Sequence, residues 1–384
     1  MNRYKLITLA GSLFFIIGVS AWSIKPIAKS LPTTELWYNK YEDALEQFNL
    51  SFIMENHGVP GISFAVIKNG KLDWAKGYGL LQVGSAEKVN TETLFSVGSV
   101  SKVGAAVISL KLHEERKLDV DTNVNQYLKS WKIPNNQYTQ NQPVTLRHIM
   151  SHTAGLTVHG FADFYPGEIL PTTVQILNGE WPAKNDPVYV NIPVGSKFRY
   201  SGGGTTVEQL VIEDCTGRPF HVAADSLLFQ PLNMTRSTYQ NPLPENTSNI
   251  AKAHNRNGRP VALTRGYQSM PEAAASGLWT TPSDFAKLMI MLMQAYQGKS
   301  SFLGQGIIKD MMTSVSPSTY GLGPRIKNNE GDIQFYHGGA NDSYRARFIG
   351  LLERQSGVII FTNGSAGSDL IEELIPLFEP LLRE

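Results

Sequence analysis

The chain has 384 residues, 42% hydrophobic and 17% charged, with a formal net charge of +1. Such a length and balance suit one large domain or two joined lobes, and they exclude disorder and a basic nucleic-acid footprint. The single cysteine, Cys215, excludes an internal disulfide and any multi-cysteine metal site, and it reads as a small core residue.

Asn2-Arg3-Tyr4-Lys5 precedes an uncharged apolar run over residues 6–22, the pattern of an export signal. Val19-Ser20-Ala21 offers small residues for cleavage, although the run is nearly long enough to act as an uncleaved membrane anchor. No cysteine follows it, so a lipoprotein is excluded. Residues 1–22 are therefore expected to be a signal peptide or anchor, 23–34 a Pro-containing linker, and 35–384 the folded domain, in the periplasm or on the outer face of the cytoplasmic membrane.

Within that domain, Leu36, Leu45, Phe48 and Phe52 recur at near-helical steps and predict an amphipathic helix over 35–56, stopped by Gly58-Val59-Pro60-Gly61. Two strands, 62–67 and 72–78, are joined by Asn69-Gly70, a strong hairpin signal. Residues 99–295 are richer in helical patterns. One runs from 205 to 214, with Thr205 and Glu208 spaced as a capping box and Gly217 after the end. Strands return at 320–323, 332–337, 344–352 and 357–362, and a helix over 369–382 closes the chain. The polar loops 135–142 and 241–260 belong to a cleft rim or the surface. The expected class is α+β: an antiparallel sheet assembled from N- and C-terminal segments, flanked by helices, with a mainly helical lobe inserted between them. A cleft between the lobes is the natural site.

The segment FSVGSVSK at 95–102 carries the chemistry. Ser99 stands three residues before Lys102, and the apolar run 103–112 reads as a buried helix. On a helix starting at or just before Ser99, the two side chains share one face with Cβ atoms about 5 to 6 Å apart. An amine at that distance can take the hydroxyl proton, and free N–H groups at the helix start favour a developing negative charge. Two other clusters accompany this pair: Tyr200 entering Ser201-Gly202-Gly203-Gly204, and His337-Gly338-Gly339-Ala340, whose glycines let backbone come close to a ligand.

With these motifs the chain resembles the serine β-lactamase and penicillin-binding-protein superfamily, in its class C, DD-peptidase and esterase branch. The resemblance runs from about Leu45 to the C-terminus through GSVSK at 98–102, SHTAGL at 151–156, YSG at 200–202, PLNM at 231–234, SGLWTTPSD at 276–284 and HGGA at 337–340. It implies a β-lactamase/transpeptidase-like fold, Ser99 as acylated nucleophile, Lys102 and Tyr200 as the proton-handling pair, and the backbone N–H groups of Ser99 and Ala340 as oxyanion hole. Gly202, His337, Gly338 and Gly339 fall at substrate-binding positions. Two departures stand out. Gly202 replaces a frequent asparagine that grips an acylamide, and His337 replaces a frequent Lys or Arg with a side chain only partly charged near neutral pH. Both shift the expectation from an efficient β-lactamase towards an esterase, amidase or peptidase on less anionic substrates.

Other residues read as structural. His152 orders the turn 151–155, and His113-Glu114-Glu115 lacks the second histidine of a zinc site. Trp279 and Tyr320 either line the cleft or pack in the core. The expectation is an exported serine hydrolase without metal or cofactor, acting on a small-molecule or peptide substrate or on cell-wall material, with no nucleic-acid partner and with the N-terminus as membrane tether if uncleaved. The rival class is a non-catalytic penicillin-recognising or cell-wall-binding protein of the same fold.

Overall fold

The computed structural model describes residues 39–329 and 331–384. The expected signal, the linker and the start of the first helix lie outside the described residues. The predicted helix over 35–56 is two helices, α1 (Lys40–Gln47) and α2 (Leu50–Asn56), because Asn49 adopts a left-handed conformation between them. Leu45, Leu50 and Met54 still share one buried face.

Strands β1 (Gly61–Lys68) and β2 (Lys71–Gly79) form the expected hairpin, with Lys68 opposite Lys71. Both turn residues have positive φ, Asn69 at 51° and Gly70 at 67°, which is what the two-residue turn demands. The short β3 (Phe95–Ser96) leads through one 3₁₀ turn, Gly98–Val100, into α3 (Ser101–Glu114). The helical region follows with α4 (Leu146–Met150), α5 (Thr173–Asn178), α6 (Gly202–Thr216), α7 (Phe220–Ala224) and α8 (Ala273–Ser276). Then come β4 (Trp279–Thr280), α9 (Pro282–Tyr296) and α10 (Gln305–Met311). Four strands, β5 (Arg325–Asn329), β6 (Asp332–Asn341), β7 (Tyr344–Leu351) and β8 (Ser356–Thr362), precede the closing helix α11 (Gly367–Arg383).

Six strands form one antiparallel sheet in the order β2-β1-β8-β7-β6-β5, so its two chain-terminal halves meet where β1 pairs with β8. This is the α+β architecture expected. Its faces bury separate cores. Val66, Ile349, Val358 and Ile360 pack on α1, α2 and α11, whereas Ala65, Phe335, Phe348, Ile359 and Phe361 face α3 and α9.

Two local expectations are corrected. Residues 320–323 are not a strand; Tyr320 only bridges to Arg325, and the edge strand begins there because three glycine or proline residues intervene. Helix α6 starts three residues before the supposed capping box. Ser201 is its N-cap, receiving the Gly204 N–H at 2.8 Å, while Thr205 and Glu208 are buried inside it. Cys215 is half-buried at the far end of this helix and packs against the core.

Candidate active site

Ser99 sits in the 3₁₀ turn just ahead of α3 and lines a cavity of about 600 Å³. Gly98 enters this turn at φ +51°, and a Cβ there would stand 2.5 Å from the Ala340 nitrogen. From the opposite side, a Cβ on Gly339 would stand 1.9 Å from the Val97 carbonyl oxygen and 3.1 Å from the Ser99 nitrogen. The turn and strand β6 are thus pressed backbone to backbone, with Ser99 and Ala340 side by side on the cavity wall. Only Gly98 and Gly339 make this approach feasible. Gly338, expected to share the task, has open space at its Cβ position, with no atom nearer than 3.7 Å. Asn341 pins the end of β6 by donating to Ser96 Oγ at 2.7 Å and to the Ser276 carbonyl at 3.1 Å.

Lys102, one turn on and 4% exposed, places Nζ 3.1 Å from Ser99 Oγ and donates to the Ala275 carbonyl at 2.7 Å. Neither partner carries a charge. Burial therefore pulls the amine down to about 7, opposed only in part by Glu208, which is itself buried against Ser109 on α3. The Tyr200 ring lies 5.0 Å from Nζ, and the nearby Ser99 hydroxyl favours the phenolate, though less than burial opposes it. Burial pushes Tyr200 up to about 12. Of the two groups near Ser99, the lysine is the one neutral enough to accept a proton.

Tyr200 is held at the N-terminus of α6 by the residue after it. Ser201 donates to the Thr157 carbonyl at 2.7 Å, and its N–H donates to His152 Nδ1 at 3.3 Å. His152, at φ +58°, sets its ring tilted against Tyr200, 4.2 Å between centres, and edge-on to Tyr320 at 4.7 Å. Burial and the nearby Lys102 hold it neutral. It is structural, as expected, but the structure it orders is the Tyr200 wall. Trp279 is in the core, with 1% exposure, whereas Tyr320 lines the cavity.

The two departures from the family pattern have physical explanations. Gly202 does not line the cavity. A Cβ there would stand 3.0 Å from Phe161 Cε2 and 3.1 Å from the His159 carbonyl oxygen, so this loop occupies the space an asparagine side chain would need. Gly202 is a packing residue under the loop, not a substrate contact. His337 is 4% exposed, and burial together with the Lys102 charge pulls it down to about 3. It is neutral rather than partly protonated. Its Nδ1 lies 2.6 Å from the Gly338 carbonyl oxygen, which only accepts, so Nδ1 carries the proton and Nε2 is left as an acceptor without a partner among the described residues.

Several cavity residues escaped the sequence reading. Phe198 and Tyr320 stack at 5.6 Å, the Arg325 guanidinium lies 5.1 Å from the Tyr320 ring centre, and Phe161, Tyr336 and Arg347 also line the cavity. The alternation of 344–351 marks Arg345 and Arg347 as one face of a strand, but register was needed to bring Arg347 opposite Gly338 and Arg325 opposite Tyr336. Among the described residues no cluster of three metal-ligating side chains occurs.

This geometry has counterparts. The family model described as Beta-lactamase matches residues 49–375. Protein flp of Staphylococcus aureus is 23% identical over 83% of this chain and 62% of its own length. Teichoic acid D-alanine hydrolase of the same species is 25% identical over 68% of this chain and 61% of its own. The chain thus spans about six-tenths of the length of these curated relatives. Among solved structures, the octameric penicillin-binding protein homologue from Pyrococcus abyssi superposes with a TM-score of 0.69 at 24% identity, covering 85% of this chain and 74% of that one. SurE with D-Leu follows at 0.68 and 22%, covering 89% and 75%. Both establish the fold. The family match over most of the chain means that this protein belongs to the Beta-lactamase family of β-lactamase-like serine hydrolases.

Proposed function

We propose that the protein hydrolyses an ester or amide through an acyl-enzyme on Ser99. The observation that carries this reading is the buried Lys102 amine, drawn down to about 7 and 3.1 Å from the serine hydroxyl. In the neutral form it accepts the Ser99 proton as Oγ attacks the substrate carbonyl carbon. The tetrahedral oxyanion meets the N–H groups of Ser99 and Ala340, held side by side by Gly98 and Gly339. As the bond to the leaving group breaks, Tyr200 donates its proton to the departing oxygen or nitrogen and regains one from the Lys102 ammonium. Water then attacks the acyl carbon, gives its proton to the same amine, and releases a carboxylic acid while Ser99 recovers its hydrogen. No cofactor enters these steps.

Simple esters and D-amino-acid esters or amides are the substrate classes to try first. A relative named for removing D-alanine from teichoic acid supports the second, and cell-wall material is the corresponding natural target. We further propose that residues 1–22 direct the chain out of the cytoplasm, which cell fractionation tests. Intact-mass spectrometry after exposure to a fluorophosphonate and to penicillin tests the acylation itself. A mass gain that maps to Ser99 is expected. No adduct with either reagent overturns the reading and favours a binding protein that kept the fold.

A further inference from the structure

Gly202 and Gly203, at the start of α6, seat a loop. A helix begins with free N–H groups, and here the carbonyls of that loop satisfy two of them: Gly202 donates to His159 at 3.0 Å and Gly203 to Val158 at 3.0 Å. Ser201 Oγ adds a bond to the Val158 carbonyl at 3.2 Å. A side chain at either glycine would push the loop away, because a Cβ on Gly203 would stand 2.8 Å from the Thr157 carbonyl oxygen and one on Gly202 3.1 Å from that of His159. The far end is held as well. Phe164 exchanges backbone hydrogen bonds with Ser269 at 2.9 and 2.8 Å, and Asp163 Oδ2 accepts the Asp342 N–H at 3.3 Å.

Between these anchors the chain makes a strained turn. Val158 has φ +62°, a left-handed conformation that strains a β-branched residue and persists only where the surroundings enforce it. The next three residues, His159, Gly160 and Phe161, all line the cavity with Ser99. Phe161 is half-buried, yet it belongs to neither hydrophobic core and meets no other ring among the described residues. Phe198, by contrast, is stacked on Tyr320 and meets His152 edge-on. Phe198, Tyr200, Tyr320 and Tyr336 line the same cavity, so Phe161 is the ring still without a partner in an aromatic enclosure. Rings in such a setting gain by packing offset or edge-on against another ring.

We propose that Phe161 is a specificity-determining residue, placed by the Val158 turn to pack against an aryl group of the substrate. The proposal rests on the hydrolase reading in taking this cavity as the substrate site, and it narrows the substrate class to esters or amides with an aryl group on the acyl or the leaving side. The loop commits its Val158 and His159 carbonyls to α6 and leaves the phenyl ring for the ligand.

Two ester series test this, each corrected for alkaline hydrolysis of the same esters: p-nitrophenyl acetate against p-nitrophenyl phenylacetate, and ethyl acetate against benzyl acetate. In at least one series the aryl member should have a kcat/KM higher by roughly tenfold or more, the scale on which an apolar pocket discriminates, and that series identifies the side of the bond. Phe161→Ala should remove most of this ratio, and Phe161→Leu should keep part of it. Because the readout is a ratio, damage that slows both esters alike does not imitate the effect. NMR titration with phenylacetamide and with acetamide makes the same comparison without turnover. Saturable binding of phenylacetamide alone is expected, weakened roughly tenfold by Phe161→Ala. No aryl preference in either experiment, or a preference that Phe161→Ala leaves intact, overturns the proposal. Phenylacetamide binding that depends on Phe161, with no ester cleaved, sinks only the hydrolase reading; cleavage of both series without aryl preference sinks only the specificity proposal.

Discussion

Lys102 Nζ stands between the Ser99 hydroxyl at 3.1 Å and the Ala275 carbonyl at 2.7 Å, with no carboxylate in contact among the described residues. An ammonium there is poorly compensated, so the amine loses its proton near pH 7. The rate of ester acylation, kcat/KM, should accordingly rise with pH along a limb centred near 7 as the amine becomes the free base. Lys102→Arg should be inactive across the range, because guanidinium does not release its proton. A flat profile from pH 5 to 9 would show that another group activates Ser99.

Ser99→Ala should lower ester hydrolysis by roughly 10⁴-fold or more, and Lys102→Ala and Tyr200→Phe should each be nearly as damaging. Because all three handle one proton path, the Lys102→Ala/Tyr200→Phe double variant should be little worse than either single one. Losses that multiply would separate the two residues mechanistically.

Gly339→Ala is expected to abolish activity without touching a side chain. Its methyl would sit 1.9 Å from the Val97 carbonyl oxygen, a backbone atom, so β6 must retreat from Ser99 and the N–H groups of Ser99 and Ala340, proposed to hold the oxyanion, separate. Gly338→Ala, with nothing nearer than 3.7 Å, should fold and turn over neutral esters at a comparable rate. Equal effects of the two substitutions in a steady-state assay would disprove the close approach.

Restoring the asparagine and lysine common at positions 202 and 337 should not create a β-lactamase. Gly202→Asn drives into Phe161 and the His159 carbonyl, an overpacking worth about 1 to 3 kcal/mol, and His337→Lys buries a second amine close to Lys102. Both variants should melt lower than wild type and gain no nitrocefin turnover. A gain at unchanged melting temperature would mean that the 159–161 loop yields easily.

Glu272, 1% exposed at the start of α8, leaves Oε2 without a partner among the described residues, and burial pushes its carboxyl up to about 8 from an ordinary 4.5. The folded state then holds a proton that the unfolded state releases between pH 4.5 and 8, so this group lowers stability as pH rises through that window. Glu272→Gln should match wild type near pH 4 and melt about 2 to 4 °C higher by pH 8. Thermal scans that coincide at both pH values would refute this.

Ser99, Lys102 and Tyr200 are legible in the sequence because each sits in a local pattern: Ser99 and Lys102 one helical turn apart, Tyr200 beside the serine that caps α6. Strand hairpins were equally legible where Asn69-Gly70 imposes the turn. What stayed hidden depends on register or on filling of space. Residue type alone could not reveal that Gly202 lies under Phe161, that His337 is sealed from water, or that Arg325 and Arg347 bracket β6. Residues 320–323 look like a strand in sequence, but Tyr320 serves the stack with Phe198 and makes only a bridge to Arg325.

The pairing of β1 with β8, Ile62 against Thr362, sets the order in which the molecule can be born. The β1–β2 hairpin is synthesised well before β8, and β1 is apolar along nearly its whole length, so its second neighbour arrives only after the helical region between them has been made. Until β8 arrives, that edge is an unpaired hydrophobic strand of the kind that recruits other chains, and sheets closed by such distant partners form slowly. Substitutions that weaken β8, such as Val358→Ala or Ile360→Ala, should therefore reveal themselves first as lost soluble yield, while the molecules that do close keep an intact Ser99 site.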